Sequence, residues 1–515
     1  MKKNILLSVG LFLFAGMMLH AQQNKPGLYV GDAFQGEMDL YDSLDWIAAN
    51  AQDGGEYSIV LGASIAASSS VLDYGGKSVT VSLKSSGEVL QVSYATRSPS
   101  SSLFTVKEGV TFVLEKGVEL VGRQSASRPP VTMDGGNFIM NGGAVKDSNV
   151  DHSRDWFGGG VDVVRGTFTM NDGIISGNAC TGGAGVNVGE NTTFTMNGGT
   201  ISDNKGTKNG GGVNVAKNAT FTMNGGTIKS NSIPHYNGCG GGVFVRGTFE
   251  MNDGVIVSNN CVDNKNSYNT SYGHGGGVYV YGGGMFIMKG GTVRNNSECG
   301  IYVNAEHPFG LGEIISGTFT MDGGVVADNT GGGVYIEHSL FTMNGGIISG
   351  NTARSGAGVY TMNYSSVVMN DGAIIKNTAN GYSVYSENAG GGGGVYVGNG
   401  VSFTMNGGTI SGNIAKGKSI GGGGVYVRST FTMNDGTISG NSTIKSGGGV
   451  FVDGGTFTKS NSAGVIYGGE AAEDKANKAN QYGHAVYTKN GSRDTTARAT
   501  MALDSQKQGA EGGWE

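Results

Sequence analysis

Charge is scarce in this sequence, and the charge it has comes close to balance. Charged residues occupy 14% of the 515 positions, and 34 basic residues against 40 acidic ones leave a formal net charge of −6. Such a balance does not favour binding to nucleic acid or to an anionic membrane surface. Beyond residue 19 no long hydrophobic run occurs, so we expect no transmembrane segment in the mature chain.

Hydrophobic residues at the 3.6-residue spacing of helices are absent from the greater part of the chain, which instead repeats a short unit. Residues 421–441, GGGGVYVRSTFTMNDGTISGN, show this unit as three short alternating pieces separated by Asn-Asp-Gly and Gly-Asn turns. The tetrapeptide Phe-Thr-Met-Asn recurs along the chain, and successive methionines of the repeats are 22 to 37 residues apart. A period of this size indicates a solenoid.

Three strands with a period of two fit one coil of a parallel β-helix. In the unit above, the side chains expected to point inward are those of Val425, Val427, Phe431, Met433 and Ile438. At ~2 kcal/mol for each buried side chain, one coil gains roughly 10 kcal/mol. Ordering its backbone costs more, at roughly 1–2 kcal/mol for every residue. We therefore predict an all-β, single-stranded parallel β-helix whose coils are stable only when stacked.

The first residues are typical of an export signal. Lys2 and Lys3 precede an apolar stretch, and the tripeptide ending at Ala21 matches a signal-peptidase cleavage site. We predict a secretory signal peptide over residues 1–21 and therefore an exported chain.

The rest of the chain divides into three predicted parts. Residues 22–131 lack the repeat and are expected to form irregular opening coils and one amphipathic helix over residues 39–52, with Asp39 as its N-cap. This helix would cap the solenoid by covering the open end of its first coil. We place the repeats at residues 132–490 and a closing segment at residues 491–515.

Two motifs of the repeat resemble a known family. Ile-Ser-Gly-Asn at residues 438–441 is followed by Gly-Gly-Gly-Val at residues 447–450, and the same motif at residues 348–351 is followed by Gly-Ala-Gly-Val at residues 356–359. This alternation resembles the polymorphic outer membrane protein repeat, in which FxxN alternates with GGA and an aliphatic residue. The resemblance implies a right-handed, pectin lyase-like β-helix at a bacterial surface or outer membrane and an adhesin-like role. Ile replaces Phe in the FxxN motif, and we expect no C-terminal translocator barrel.

The middle position of the Val-x-Val strand is aromatic in most repeats. The aromatic residues are Phe244, Tyr279, Tyr302, Tyr335, Tyr360, Tyr396, Tyr426, Phe451 and Tyr487, and the earlier coils carry Asp162, Asn187 and Asn214 there. Because the flanking valines point inward, these side chains are expected to point outward and to stack one coil apart. The stack either only stabilises the sheet, or Tyr279, Tyr335, Tyr396 and Tyr426 form a strip that binds sugar rings or a partner's apolar side chains.

The loops between the Ile-x-x-Asn corner and the next glycine-rich strand carry a second group of candidate binding residues. These are His152, Arg154, Asp155, Trp156, His235, Tyr236, Tyr268, Tyr272 and His274. The repeat is expected to place the loops on one edge of successive coils, and loops on a rigid scaffold often carry binding residues. The alternative is that they are solvated turns with incidental aromatic and charged side chains.

Catalysis is the main alternative function, because β-helices also host polysaccharide lyases and glycoside hydrolases. His274 lies in a Gly-His-Gly tripeptide that is similar to a fragment of galacturonan hydrolases. No Asp-Asp pair accompanies it, so inverting hydrolysis would lack its second carboxylate. EF-hand and calcium-nonapeptide spacings do not occur either. We therefore expect no catalysis, no cofactor and no metal.

Four cysteines, Cys180, Cys239, Cys261 and Cys299, fall in the same loop column. Cys239 and Cys261 lie in adjacent loops, as do Cys261 and Cys299, whereas Cys180 is roughly 10 Å from its nearest fellow at the spacing of strands, beyond the reach of a disulfide. Export permits disulfides. We predict at most one, between Cys239 and Cys261.

Together these features predict an exported, monomeric and non-catalytic surface protein with an extended, adhesin-like binding face. The expected ligand is a carbohydrate or another surface protein. A polysaccharide lyase or glycoside hydrolase and a purely structural cell-surface protein are the alternatives, and a glycan array combined with a turnover assay separates the three.

Overall fold

The structure is a computed structural model that describes residues 25–95, 100–150, 158–234, 239–261, 275–306, 313–381, 390–417, 421–459 and 464–489, with the short strands Ser492–Arg493 and Gly513–Trp514. This part of the chain forms a parallel β-helix, as predicted. In the repeats, strands pair in parallel with the equivalent strands of the next coil, so that Phe168 pairs with Phe194 and Phe194 pairs with Phe221. Identical residues of successive coils therefore lie above one another.

Three sheets run along the solenoid, each built from one strand of every coil. The Val sheet, with its Val-x-Val strands, contains Val186–Val188, Val213–Val215, Val243–Val245, Val278–Tyr281, Ile301–Asn304, Val334–Glu337, Val359–Met362, Val395–Val397, Val425–Val427, Val450–Asp453 and Val486–Lys489. The Phe-Met sheet contains Thr193–Met196, Thr220–Met223, Thr248–Met251, Met285–Met288, Thr318–Met321, Leu340–Met343, Ser366–Met369, Ser402–Met405, Thr430–Met433, Thr456–Lys459 and Ser492–Arg493. The Ile sheet contains Thr200–Ser202, Thr227–Lys229, Val255–Val257, Thr292–Arg294, Val325–Ala327, Ile347–Ser349, Ala373–Ile375, Thr409–Ser411, Thr437–Ser439 and Val465–Ile466. Two long strands, Val131–Lys146 and Val161–Ser176, pass through all three sheets.

The core is one continuous column enclosed by the three sheets. The predicted inward residues Val425, Val427, Phe431, Met433 and Ile438 are each 0% exposed, which confirms their assignment. Phenylalanine rings of successive coils stack with centroids 4.7 Å apart through much of this column. Because each ring is covered by the coils on either side, a single coil cannot bury its own core.

Glycine at the turn after each Phe-Met strand is required by close packing. Gly226 has φ +83°, and a Cβ atom there would lie 2.6 Å from Cε of Met196 in the preceding coil. Where the turn reads Asn-Asp-Gly, the Asp172 carboxylate accepts a hydrogen bond of 2.7 Å from the backbone N–H of Gly173. These aspartates therefore serve the turn.

A ladder of buried asparagines, the inner asparagine ladder, follows the Ile sheet. Its members are Asn178, Asn204, Asn231, Asn259, Asn296, Asn329, Asn351, Asn377, Asn413, Asn441 and Asn477, all 0% exposed. Asn204, for example, donates from Nδ2 to Oδ1 of Asn231 at 2.9 Å and to the carbonyl of Ile175 at 3.0 Å. The ladder thus satisfies backbone groups that the corner would otherwise bury without a partner.

The N-terminal end is closed by a helix and by antiparallel strands. The helix Leu40–Asn50 begins after the N-cap Asp39, whose side chain accepts from the Asp42 N–H, and buries Leu40 and Ile47 in the core. The strands of this region are Gly27–Val30, Ala33–Gly36, Gly55–Leu61, Ile65–Ala67, Ser70–Leu72, Val79–Ser85, Leu90–Tyr94, Phe104–Lys107, Val110–Leu114 and Val118–Val121. Strand Gly27–Val30 pairs antiparallel with Gly55–Leu61.

At the other end of the solenoid, Gly513–Trp514 pairs antiparallel with Val486–Lys489, the last strand of the Val sheet.

Two small parallel sheets follow the inner asparagine ladder. One contains Ala179–Gly182, Lys205–Asn209, Ser232–Ile233 and Asn260–Cys261, and the other contains Thr352–Ala353, Thr378–Ala379, Ile414–Ala415, Ser442–Thr443 and Lys478–Ala479. Part of the loop column expected from the sequence is therefore regular strand.

Candidate functional site

The aromatic column of the Val sheet is stacked as predicted, but it is not accessible. Ring centroids of successive members are 4.6–5.6 Å apart. The proposed binding residues Tyr279, Tyr335, Tyr396 and Tyr426 are only 4%, 4%, 6% and 0% exposed. Each ring covers the face of the next, so the expectation of an open strip for sugar rings is wrong. The column is instead a second hydrophobic cluster outside the main core.

Neighbouring main chain and polar side chains complete the burial of the column. A Cβ atom on Gly356 would lie 2.8 Å from Cβ of Tyr396, so the glycine-rich segment packs against the base of that side chain. At the opposite end of the rings, the Tyr302 hydroxyl donates to Oε2 of Glu337 at 2.6 Å, and the Tyr426 hydroxyl donates to an Asp453 carboxylate oxygen at 2.7 Å. Burial raises the pKa of Tyr302 well above its usual value.

The earlier coils carry buried polar groups where the later coils carry rings. Asn214 donates from Nδ2 to Asn187, and Asn187 donates to Oδ1 of Asp162, at 2.7 and 2.8 Å. Asp162 is 1% exposed, and its burial raises the pKa of the carboxyl to about 6. Asp162 is therefore the terminal acceptor of this row of two amides.

The predicted disulfide between Cys239 and Cys261 is wrong. All four cysteines lie among the described residues, and none is joined to another in a disulfide. The backbone of Cys239 forms a β-bridge with that of Asn209, and the residue packs against the aromatic column. Cys261 is in a strand that pairs with the strand of Ile233, on a different part of the coil edge. Adjacency of loops along the chain did not bring the two sulfur atoms to the same position. Burial raises the pKa of Cys239 to about 12.

The loop candidates cannot be placed. His152, Arg154, Asp155, Trp156, His235, Tyr236, Tyr268, Tyr272 and His274 lie outside the described residues. Their role in binding stays a prediction.

The outer face of the Phe-Met sheet is a regular and partly exposed surface of the described chain. Its outward positions carry threonine in many coils: Thr167, Thr169, Thr193, Thr195, Thr220, Thr222, Thr318, Thr320, Thr430, Thr432, Thr456 and Thr458. The sheet register stacks each of these hydroxyls on the equivalent position of the neighbouring coil. Where threonine recurs, the face is therefore polar and repetitive. Met285 and Leu340, 40% and 46% exposed, interrupt it in two coils.

Two outer asparagine ladders border this face. One contains Asn141, Asn171, Asn197, Asn224 and Asn252 and starts at Glu115; the other contains Asn344, Asn370, Asn406 and Asn434 and starts at Asp322. In both, every Nδ2 donates to the side-chain oxygen of the preceding coil at 2.8–3.1 Å. Lys289 occupies the position between the ladders and is paired with Glu250 at 2.6 Å. The carboxylates accept the first donated hydrogen bond of each ladder.

One exposed aromatic residue was missed by the sequence reasoning. Tyr364 lies at the corner between the Val and Phe-Met sheets and is 81% exposed. The signal that could have found it is its position two residues before a Phe-Met strand, where sister repeats carry Asn191, Asn218 or Gly400.

Comparisons with known proteins assign no relative to this solenoid: no family model matches the chain, and neither a curated protein nor a solved structure matches it. Within the described ranges, no three His, Cys, Asp or Glu side chains are grouped so that they could hold a metal ion. Nor does any helix there have the length and apolar character needed to span a membrane.

Proposed function

We propose that the chain is an exported, non-catalytic binding protein of a bacterial cell surface, and that its solenoid presents an extended repeating face to a carbohydrate. The observation that carries this proposal is the array of outer asparagine ladders beside the threonine-bearing Phe-Met sheet. The basic, apolar start of the sequence and its resemblance to polymorphic outer membrane protein repeats support export and an adhesin-like role.

The outer ladders keep hydrogen-bonding capacity for a ligand. An asparagine side chain has two N–H donors and two oxygen lone pairs. Within a ladder, Asn197 uses one donor toward Asn171 and accepts one bond from Asn224. One donor and one lone pair of Asn197 are therefore not used within the ladder. A hydroxyl group of a polysaccharide both donates and accepts hydrogen bonds, so it can use both the N–H and the lone pair of such an amide.

Rigidity and repetition favour a polymeric ligand. The amides are held in place by one another and by the sheet below, so little side-chain freedom is lost when a ligand binds. A polymer can contact several coils at once, and weak contacts repeated along it add to a higher overall affinity. A glycan chain supplies such repetition more readily than a folded protein surface does.

A glycan array probed with the mature chain, residues 22–515, tests the proposal. We expect binding to one or a few polymeric glycans, and no reducing ends or unsaturated products from those glycans after prolonged incubation. Replacing both Asn197 and Asn224 by alanine should weaken the binding, while Lys217→Ala, at an exposed position of a neighbouring turn, should not. Turnover of a glycan, or an array without any bound glycan, contradicts the proposal.

A further inference from the structure

The corner that precedes the Phe-Met sheet holds Tyr364 in an unusual backbone conformation. Its φ is 56°, in the left-handed region, although the residue is neither glycine nor asparagine. Bulky side chains rarely adopt this conformation, because Cβ approaches the backbone too closely. Such outliers persist only where the surrounding structure imposes them, and they are frequent at functional sites.

Equivalent residues of other coils show what this corner ordinarily carries. The pairing of Ser366 with Ser402 aligns Tyr364 with Gly400, whose φ is 71°. Asn191 and Asn218 occupy the same place, two residues before their Phe-Met strands, each with φ 60°. Glycine and asparagine are the residues that tolerate this conformation best. A tyrosine there is therefore a departure that the fold itself does not require.

The coil before Tyr364 departs from the pattern in the same way. His338 occupies the equivalent corner with φ 48°, and its ring lies 6.1 Å from that of Tyr364 at an angle of 29°. On the other side, a Cβ atom at Gly400 would lie only 2.9 Å from Cδ1 of Tyr364, so the absence of a side chain at Gly400 makes room for the ring. Two successive coils thus present one aromatic pair at the surface.

Tyr364 is accessible, unlike the aromatic column, whereas His338 beside it is half-buried. Among the described residues the exposed aromatic rings of tyrosine, phenylalanine or tryptophan are those of Tyr364, at 81%, and Tyr482, at 37%. The surface beside Tyr364 carries an amide and hydroxyl groups. Asn363 donates to Oε1 of Glu337 at 2.7 Å, and Ser402 donates to Ser366 at 3.4 Å.

We propose that the exposed ring of Tyr364, supported by His338 beside it, forms a stacking platform for a pyranose ring of a bound glycan; this site deepens the proposed function and rests on it. Aromatic side chains offer a flat apolar face together with a polar edge, which suits the C–H face of a sugar. Asn363, Ser366 and Ser402 lie where they can bind the hydroxyl groups around that ring. The apolar neighbour Leu340, 46% exposed, widens the platform without making the surroundings predominantly apolar. The polar surroundings favour a sugar over an apolar protein segment.

Three variants of the mature chain test this site on the glycan array and, for any glycan bound, by titration calorimetry. Tyr364→Asn removes the ring and supplies a residue that Asn191 and Asn218 show to fit the corner. Its affinity should fall by about tenfold, the effect of one aromatic contact, while its Tm should equal or exceed that of the wild type. Tyr364→Phe should keep the affinity, and the control Tyr482→Ala should leave it unchanged.

The possible outcomes separate this site from the proposed function as a whole. A glycan bound equally well by the wild type and by Tyr364→Asn leaves the proposed function standing and overturns the platform. An array without a bound glycan overturns both. If Tyr364→Asn instead loses the binding of a surface protein while glycan binding persists unchanged, the corner serves a protein partner and the assignment to sugar is wrong.

Discussion

Removing one rung of the inner asparagine ladder should cost far more stability than removing an exposed asparagine from the same coil. Asn351 accepts hydrogen bonds from the backbone N–H and the Nδ2 of Asn329, at 3.0 and 2.9 Å. It donates from Nδ2 to the carbonyl of Val326 and to Oδ1 of Asn377, both at 3.0 Å. The substitution Asn351→Ala deletes all four of these bonds in a place that is 0% exposed.

The expected size of the effect follows from that count. At about 1 kcal/mol for each hydrogen bond, the free energy of unfolding should fall by about 4 kcal/mol. The true loss should be larger, because the backbone N–H and the side-chain amide of Asn329 both lose their shared acceptor, Oδ1 of Asn351. A buried donor left without a partner costs about 1–3 kcal/mol. The matched control is Asn344→Ala in the outer ladder, where water can replace both lost partners, Asp322 and Asn370.

Urea unfolding followed by far-ultraviolet circular dichroism measures the difference. We expect a marked decrease in the midpoint for Asn351→Ala and a change of less than about 1 kcal/mol for Asn344→Ala. Because stacked coils can unfold in sections, hydrogen exchange of the neighbouring coils should be measured as well. Equal midpoints for the two variants would refute the claim that the inner ladder supports the corner.

The remaining predictions concern buried ionisable side chains. Burial raises the pKa of Asp162 to about 6, so the ionised carboxylate destabilises the fold above that pH. This cost disappears below the pKa that the group has in the unfolded chain. Asp162→Asn should therefore raise Tm at pH 8 but not at pH 4, with an increase of up to about 3 kcal/mol in the free energy of unfolding. Alkylation in urea without reductant should label all four cysteines, and fewer than four labelled thiols there would contradict the structure. In the folded chain Cys239 should react slowly at pH 8, because its pKa is raised to about 12. Lys459 occupies the position that Met433 has in the preceding coil; it is 2% exposed, and burial lowers its pKa. Lys459→Met should stabilise the chain by about 1–2 kcal/mol at pH 7. The stabilisation should be smaller near pH 10, where the lysine is less charged.

The repeat itself made the main architecture predictable. Alternation within the short strands identified which side chains of the unit point inward, and Phe431, Met433 and Ile438 are buried as expected. The N-terminal helix was also predictable, because its apolar residues share one face and Asp39 precedes it. These features depend on local patterns that each coil repeats.

Exposure of the aromatic column could not be predicted in the same way. Alternation determines the side of the Val sheet on which Tyr396 lies, but it does not determine whether that side meets water. The rings above and below, the glycine-rich segment and residues such as Asp453 together cover the column. Burial of this kind arises from contacts between coils, and one strand considered alone does not contain it.

The cysteines and Tyr364 show the same limit at the corners. Pairing of Cys239 and Cys261 was inferred from loop adjacency, but position along the edge of the coil decides whether two sulfur atoms meet. Tyr364 aligns with Gly400 because Ser366 pairs with Ser402 of the next coil. That pairing is a contact between coils, so the sequence of one repeat alone does not contain it.

A crystal structure of the protein is the most direct test that in-register stacking of the coils determines which surfaces are buried and which are exposed. We expect the rings of Tyr335, Tyr360 and Tyr396 to lie stacked with centroids 4.7–4.9 Å apart beneath the surface, while Tyr364 projects from it. Separate globular units, or an aromatic column open to solvent, would contradict it.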